Sequence, residues 1–203
     1  MPVYLVLGVT FAFAAAIEPG PLQAYLISQT LALGWQRTIL ASFAPLLSDA
    51  PIIALSIFIL SHIPPSFIQI LQIVGGIYLL YLALEALKTY SKYVAEKVLQ
   101  PSGQKTLFKA VIVNLLNPNP YLAWSLVMGP LLLKAWNESP VNGIVLLISF
   151  YATMVLSLFG TIILFSALRN LGAKINRILI GVSGIALGCF GLYELWLGVN
   201  AFL

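Results

Sequence analysis

Two acidic residues, Glu18 and Asp49, lie inside long apolar segments, where an ionisable side chain is expected to have a function. Counting along the first two apolar segments places each of them close to the middle of a membrane span. An ionised acid there costs about 2.5–3.5 kcal/mol on insertion scales. No lysine or arginine lies in the middle of a span to neutralise either one. Each carboxyl group must therefore be protonated, hydrated, hydrogen-bonded to the other one or occupied by a cation. We predict a proton-coupling pair that exchanges a proton for a cationic substrate group, and a purely structural carboxyl group is the alternative.

Two proline pairs interrupt these apolar surroundings. Residues 18–25 read Glu-Pro-Gly-Pro-Leu-Gln-Ala-Tyr, and residues 117–124 read Asn-Pro-Asn-Pro-Tyr-Leu-Ala-Trp. A proline lacks an N–H and obstructs the carbonyl four residues earlier in a helix. The pairs therefore predict four free carbonyls, at Ala15, Ile17, Asn114 and Leu116. Such breaks are tolerated at membrane depth where they line protein or a water-filled cavity. Two broken helices at corresponding positions indicate a transporter site, and two simple kinks are the alternative.

The asparagines of the second motif extend the predicted site. Asn114 and Asn117 are three residues apart on one helix face, and with Asn119 they either line a cavity or satisfy the backbone of the break. The predicted proton-coupling residues are Glu18 and Asp49. The predicted substrate-binding residues are Glu18, Pro19, Gly20, Pro21, Asp49, Asn114, Asn117, Pro118, Asn119 and Pro120.

Other chemistries are not indicated. No His, Cys and Asp cluster has metal-ligand spacing, and no Gly-rich phosphate loop is followed by a lysine. One histidine in 203 residues leaves no nucleophile, base and orienting group for catalysis. We therefore expect no enzyme, no metal site and no cofactor.

The composition decides which class of protein must position these residues. Hydrophobic residues make up 61% of the chain and charged residues 8%, and the mean hydropathy is +1.01. A soluble domain carries about 25% charged residues, so the composition excludes a water-soluble globule. It also excludes a disordered chain and a nucleic-acid-binding protein.

Six apolar stretches have the roughly 20 residues that a spanning helix needs. We predict an all-α membrane protein with one transmembrane transporter domain over residues 1–203. Its first repeat covers residues 1–105 and its second, inverted repeat covers residues 106–203. The predicted spans are approximately residues 3–33, 39–60, 67–88, 106–133, 141–167 and 177–202.

Basic residues predict the orientation of these spans. They flank the first, third and fifth loops, whereas the fourth loop has only Lys134. The positive-inside rule places the odd loops in the cytoplasm and both termini outside the cytoplasm. We predict a multi-pass protein of the cell membrane, meaning the inner or plasma membrane. The long third connection, residues 89–105, alternates apolar and polar side chains and predicts an interfacial extension of the third helix. The basic residues in and beside this connection are Lys88, Lys92, Lys97, Lys105 and Lys109, of which Lys88 ends the third span and Lys109 lies in the fourth.

Two motifs recur in the two halves of the chain. The proline pairs of the first and fourth spans share their spacing, followed by an alanine and an aromatic residue. In the third and sixth spans, Gly-Ile at residues 76–77 and 184–185 leads to Glu85 and Glu194. Three spans per half give the halves opposite directions, so the sequence predicts an inverted repeat with helices one and four broken at the midplane. We expect Glu85 and Glu194 to be interfacial or paired carboxylates.

These residues resemble the LysE/RhtB family of amino-acid exporters over nearly the whole chain. The similar segments are residues 19–21, the acid of Ser48-Asp49, residues 75–82, residues 114–118 and a closing stretch from Phe150-Tyr151 to Arg177. The resemblance implies secondary active export of amino acids or related amine-bearing molecules from the cytoplasm. It also implies an antiport driven by protons, with a small-molecule substrate and protons as partners, and a homodimer in the lipid bilayer.

Two departures from the family pattern concern the substrate. Asn119 stands where the family usually has a lysine, and Glu18 where it more often has a small or uncharged residue. Both changes make the midplane more acidic and favour substrates with positive charge. A cation exporter on the same scaffold and a non-transporting membrane subunit are the alternatives.

Overall fold

The computed structural model describes residues 2–58, 65–91, 103–169 and 172–200, and all regular structure in these ranges is helical. The prediction of an all-α chain is confirmed for this part of the sequence. The helices are α1 (Pro2–Ile17), α2 (Pro21–Leu33), α3 (Trp35–Thr38), α4 (Ala44–Phe58), α5 (Pro65–Ser91), α6 (Gly103–Leu116), α7 (Pro118–Ala123), α8 (Gly129–Glu138), α9 (Pro140–Arg169) and α10 (Ala173–Asn200).

Among the described residues, four helical segments are long and apolar enough to cross a membrane, and a bent pair of helices makes a fifth span if the pair crosses as one unit. The four are Trp35–Ser56, Ser66–Ser91, Pro140–Arg169 and Lys174–Asn200. In the pair, α1 and α2 meet at 63°, so the predicted first span is broken as expected. Large apolar side chains are exposed on the outer faces, as contact with lipid requires.

The predicted fourth span is built from shorter pieces. It consists of α6, α7, a π-helical turn over Trp124–Met128 and α8. By length and composition, no continuous helix in this region qualifies as a span. The structure thus supports four or five spans within its described ranges, and the sixth span and the inverted repeat stay predictions.

Prolines shape the middle of the bundle. The second span has a 3-10 turn at Ile39–Phe43 just before Pro45, and Pro51 lies inside α4. The π turn ends before Pro130, which has no N–H to offer the carbonyl four residues earlier. Isolated π turns occur frequently at functional sites, and this one carries Trp124 and Met128 into the interior.

Close helix contacts hold the long spans together. Helix α1 packs on α9, and α5 packs on α10. A Cβ atom at Gly76 would lie 2.8 Å from the Gly191 carbonyl, so the absence of a side chain permits this approach of α5 and α10. This contact explains the glycine of one recurring motif.

The ends of α2, α9 and α10 meet at one side of the bundle. Gly34 ends α2 at φ +86°, and its N–H donates to the Thr30 carbonyl over 2.8 Å. A Cβ there would collide with the Arg169 guanidinium, and Asn176 Nδ2 donates to the Leu31 carbonyl over 3.1 Å. The predicted interfacial extension, with Lys92 and Lys97, lies outside the described residues, and α5 continues to Ser91.

Candidate functional site

A cavity of about 400 Å³ lies between the two predicted breaks. It is lined by α1, α2, α4, α6, α7, the π turn and α9. Of the ten predicted site residues, seven line it and Pro19, Pro21 and Pro118 do not. The seven are Glu18, Gly20, Asp49, Asn114, Asn117, Asn119 and Pro120. The structure therefore brings both acids and all three asparagines to one space, whereas three of the four prolines of the two motifs lie outside its lining.

The first break leaves backbone donors beside the cavity. Helix α1 ends at Ile17, and α2 begins at Pro21 after an extended Gly20 (φ −160°, ψ 179°). The first main-chain N–H of α2 with a helical partner is that of Ala24, which donates to the Gly20 carbonyl over 2.9 Å. Leu22 and Gln23 line the cavity, and the N–H groups at these positions lack a partner within a helix. The positive end of the α2 dipole thus faces the cavity.

The second break is built differently. Asn117 is the N-cap of α7, and its Oδ1 accepts the Asn119 N–H over 3.1 Å. Pro118 and Pro120 have no N–H, so the first turn of this helix has no donor left for a ligand. The two breaks therefore differ in the backbone donors that they offer, although their prolines have the same spacing.

The prediction of free carbonyls at the second break is wrong for Asn114. Its carbonyl accepts the Asn117 N–H over 3.3 Å, because the chain tightens as α6 ends. The hydroxyl of Tyr121 donates to the adjacent Leu115 carbonyl over 2.9 Å. The Leu116 carbonyl lies against Gly75 of α5, where an added Cβ would be only 2.6 Å from it. Protein groups thus occupy the end of α6.

Asp49 is the centre of a polar network that joins three predicted spans. Its side chain is 4% exposed, and its oxygens accept hydrogen bonds from Asn114 Nδ2 at 2.9 Å and from the Tyr151 hydroxyl at 3.3 Å. Ser48 Oγ accepts from the same Asn114 amide at 2.7 Å and lies 3.5 Å from Asp49 Oδ1. Donors to both oxygens stabilise a carboxylate that has left water. Among the described residues, none of these bonds comes from Glu18.

The two acids therefore have different environments. Glu18 follows the last residue of α1 and its side chain is exposed, whereas Asp49 is buried and hydrogen-bonded. The sequence-based option of a direct hydrogen bond between them is not what the structure has. Asp49 is thus held in place by hydrogen bonds, whereas the exposed Glu18 carboxyl group lines the open cavity.

An aromatic wall closes the cavity beside Asp49, and sequence reasoning assigned it no role. The Trp124 indole packs edge-on against Phe150 with ring centroids 5.5 Å apart, and it stacks on Tyr151 at 6.5 Å. Trp124 is also a polar neighbour of the Asp49 carboxyl group. Two features of the sequence could have indicated this wall. One is the Gly129-Pro130 pair that directly follows the π turn, and the other is that Phe150-Tyr151 belongs to a segment that resembles the family.

The expectation for the remaining acids holds for one of them. Glu85 forms an ion pair with Lys109 of α6 and accepts the Tyr81 hydroxyl over 2.9 Å. Glu194 has no ion pair among the described residues, and its place at the membrane interface stays a prediction. Its side chain is 7% exposed, and its Oε2 has no hydrogen-bond partner within the described ranges.

No set of three or more His, Cys, Asp or Glu residues that could hold a metal ion is present in the described part of the chain. The cavity instead offers two carboxyl groups, asparagine amides and the backbone donors of α2 within a largely apolar wall. Such a mixture suits a small polar molecule whose charged groups are recognised at a few points.

Comparison with known proteins agrees with this picture. The family model described as LysE type translocator matches residues 13–198, which include both breaks and all of the cavity lining except Phe11. No curated protein and no solved structure matches the chain. The resemblance seen in the sequence is therefore confirmed, and the chain belongs to the LysE type translocator family of multi-pass membrane transporters.

Proposed function

We propose that this protein is a secondary active exporter of amino acids or related amine-bearing small molecules from the cytoplasm. In this proposal, protons drive export by antiport, and one transmembrane domain alternates access to the cavity between the two sides of the cell membrane. Two inverted three-helix repeats, termini outside the cytoplasm and assembly as a homodimer belong to the same proposal. The observation that carries it is the cavity of about 400 Å³ that unites Glu18, Asp49 and the start of α2.

The size and polarity of the cavity support an amino acid as the substrate class. Ligand pockets measure about 300–1,000 Å³ and have a few polar groups in an apolar wall. A substrate carboxylate is matched by the free N–H groups at Leu22 and Gln23, which lie at the positive end of α2. Its ammonium is matched by the Glu18 carboxyl group, with Asp49 as the second acid in the same cavity.

The second break takes no carboxylate in this proposal. The N–H donors of its first turn are absent or capped by Asn117. In this proposal the second break forms a wall of the cavity and the point at which the helices turn. An amino acid thus has one orientation in the cavity, with its carboxylate toward α2.

The lining favours substrates with a positive net charge. Two carboxyl groups line the cavity and no lysine, arginine or histidine is among its lining residues. A side-chain ammonium or guanidinium would neutralise the second acid, so lysine and arginine are the first compounds to test.

Export of an inorganic cation is the second candidate, and the same excess of carboxyl groups motivates it. Carboxylate and asparagine oxygens are the ligands that Mg²⁺ and Mn²⁺ prefer. The backbone donors at α2 count against it, since they repel a cation.

A thermal-shift screen of the purified protein separates these candidates. The panel contains the amino acids, including lysine and arginine, and Mg²⁺, Mn²⁺ and Zn²⁺. A ligand at 100 times its Kd stabilises the folded state by about 2.7 kcal/mol, which is measurable as a higher melting temperature. Stabilisation by amino acids that is lost in Asp49→Asn supports the proposal. Stabilisation by divalent cations alone would replace it with cation export.

A further inference from the structure

Glu194 is a buried acid that the proposed substrate site does not use. It lies in α10, and its side chain is 7% exposed. Its Oε2 atom is buried and has no hydrogen-bond partner in the part of the chain that the structure describes. An ionisable group in a membrane-spanning segment is costly, and it marks a functional site by default.

Glu194 lines a second, much smaller pocket. The volume is about 10 Å³, near the minimum for one water molecule and far below what an amino acid needs. Its walls come from α2, α5, α6 and the second break. Besides Glu194, the lining includes Pro21, Gly75, Tyr78, Val113 and Asn117.

Among the described residues, no cationic side chain lines this pocket beside Glu194. Helix α5 contributes Tyr78 to the lining, and α2 and α6 contribute no titratable group to it. Glu85 of α5 and Lys109 of α6 form an ion pair with each other. With so few oxygen atoms, the pocket also lacks the six or more oxygen ligands that a hard cation takes. A proton is the ion that fits a carboxyl group in such a space.

The small pocket adjoins the substrate cavity at both breaks. Asn117 lines both spaces. At the other break, Pro21 lines the small pocket, while its neighbours Gly20 and Leu22 line the large one. A change in charge at Glu194 therefore acts on the same two helix starts that border the substrate.

We propose that Glu194 binds the coupling proton at a site separate from the substrate cavity. This inference rests on the proposed function, since it gives the proton-driven exporter its proton carrier. The Glu194 carboxylate takes a proton from water on the outer side and returns it to water on the inner side, so charge and protons balance. Protonation removes the buried charge and stabilises the contact of α10 with Pro21 and Asn117. By linkage, proton and substrate then compete through these shared elements.

Infrared spectroscopy of the purified protein tests proton binding without any substrate. At pH 7, exposed glutamates are ionised, so a protonated carboxyl band reports a buried acid. Labelling all glutamates with ¹³C shifts a Glu194 band and leaves Asp49 in place, because Asp49 is the one aspartate of the chain. We expect a band that shifts with the label, disappears in Glu194→Gln and persists in Glu18→Gln. A band that survives Glu194→Gln, or no glutamate band at pH 7, overturns the proposal.

Transport measurements then test coupling. Proteoliposomes are assayed with radiolabelled lysine in two ways. The first assay measures counterflow at equal pH, and the second measures accumulation driven by a pH gradient. We expect Glu194→Gln to keep counterflow within about twofold while gradient-driven accumulation falls about tenfold, to the level without a gradient. Glu138→Gln, which changes an exposed glutamate at the end of α8, is the matched control and keeps both activities.

The two proposals fail in different ways. Gradient-driven accumulation at the wild-type level in Glu194→Gln overturns the role of Glu194 and leaves the exporter intact. Wild-type protein that moves neither lysine nor any other amino acid contradicts the proposed function, and the infrared band still decides whether Glu194 holds a proton.

Discussion

The side-chain amide of Asn114 donates a hydrogen bond from Nδ2 to Asp49 Oδ1 over 2.9 Å. The bond joins two helices through residues that are 65 positions apart in the chain. Asn114 lies in the last turn of α6, three residues before the second break, and Asp49 lies in α4. The buried acid of the cavity is thus fixed by the helix that ends at the break. A movement of α6 at this break would also move a donor to Asp49.

Removal of this donor should destabilise the protein. In Asn114→Ala the carboxylate of Asp49 loses one hydrogen bond while it stays buried, which costs about 1–3 kcal/mol. The measurement is thermal unfolding in detergent. Asn119→Ala is the control, because Asn119 lines the same cavity without a side-chain bond to Asp49 and should change stability by less than about 0.5 kcal/mol. Equal effects of both substitutions would contradict the role given to the Asn114 amide.

Neutralisation of the two acids should stop proton-coupled transport without unfolding the protein. Glu18→Gln and Asp49→Asn each remove a charge whose insertion costs about 2.5–3.5 kcal/mol, so both variants should insert and fold normally. The assay is lysine accumulation in proteoliposomes with an imposed pH gradient. Lysine-induced stabilisation, measured on the same variants, separates lost binding from lost coupling. Wild-type accumulation in both variants would show that neither acid is needed for proton-coupled transport of lysine.

Bulk at Gly20 should block the substrate and spare the fold. Gly20 lines the cavity in an extended conformation that any residue can adopt, and the nearest atom to an added Cβ is the Glu18 carbonyl oxygen at 3.9 Å. Gly20→Ala should therefore be tolerated, whereas Gly20→Val fills the approach to the free N–H groups of α2. We expect Gly20→Val to lose the lysine-induced thermal shift. Gly160→Val is the control, since a Cβ at Gly160 meets nothing within 4 Å. Undiminished stabilisation of Gly20→Val by lysine would place the ligand elsewhere.

Cysteine labelling tests the orientation of the bundle. In a background with Cys189→Ser, cysteines at Ser91 and Ser102 should be protected from membrane-impermeant thiol reagents in intact cells, and a cysteine at Ser139 should react. Ser91 is the last residue of α5, and Ser139 follows α8, whereas Ser102 lies outside the described residues. Reaction of the cysteine at Ser91 in unbroken cells would reverse the topology and the direction of transport.

The sequence by itself determined the class of protein, the first break and seven of the twenty residues that line the cavity. Composition and span length required an all-helical membrane protein, since a bilayer leaves few ways to satisfy the backbone. Proline has no N–H whatever its surroundings, so residues 18–21 predicted the break between α1 and α2 from local chemistry alone, and the structure gives its angle of 63°. The acids Glu18 and Asp49 were recognisable because a charge at membrane depth is costly wherever the neighbours lie.

Tertiary structure decided how the parts meet. Helical spacing shows that Asn114 and Asn117 share a face, but it does not show which face of α4 or α9 lies opposite. The donors to Asp49 from Asn114 and Tyr151, and the wall formed by Trp124, therefore appeared only in the structure. Glu85 and Glu194 stand in matching motifs, yet Glu85 contacts Lys109, whereas Glu194 Oε2 has no hydrogen-bond partner in the described part of the chain. The physical reason is that the free energy of a buried charge depends on neighbours from other helices, and sequence spacing along one helix does not specify them.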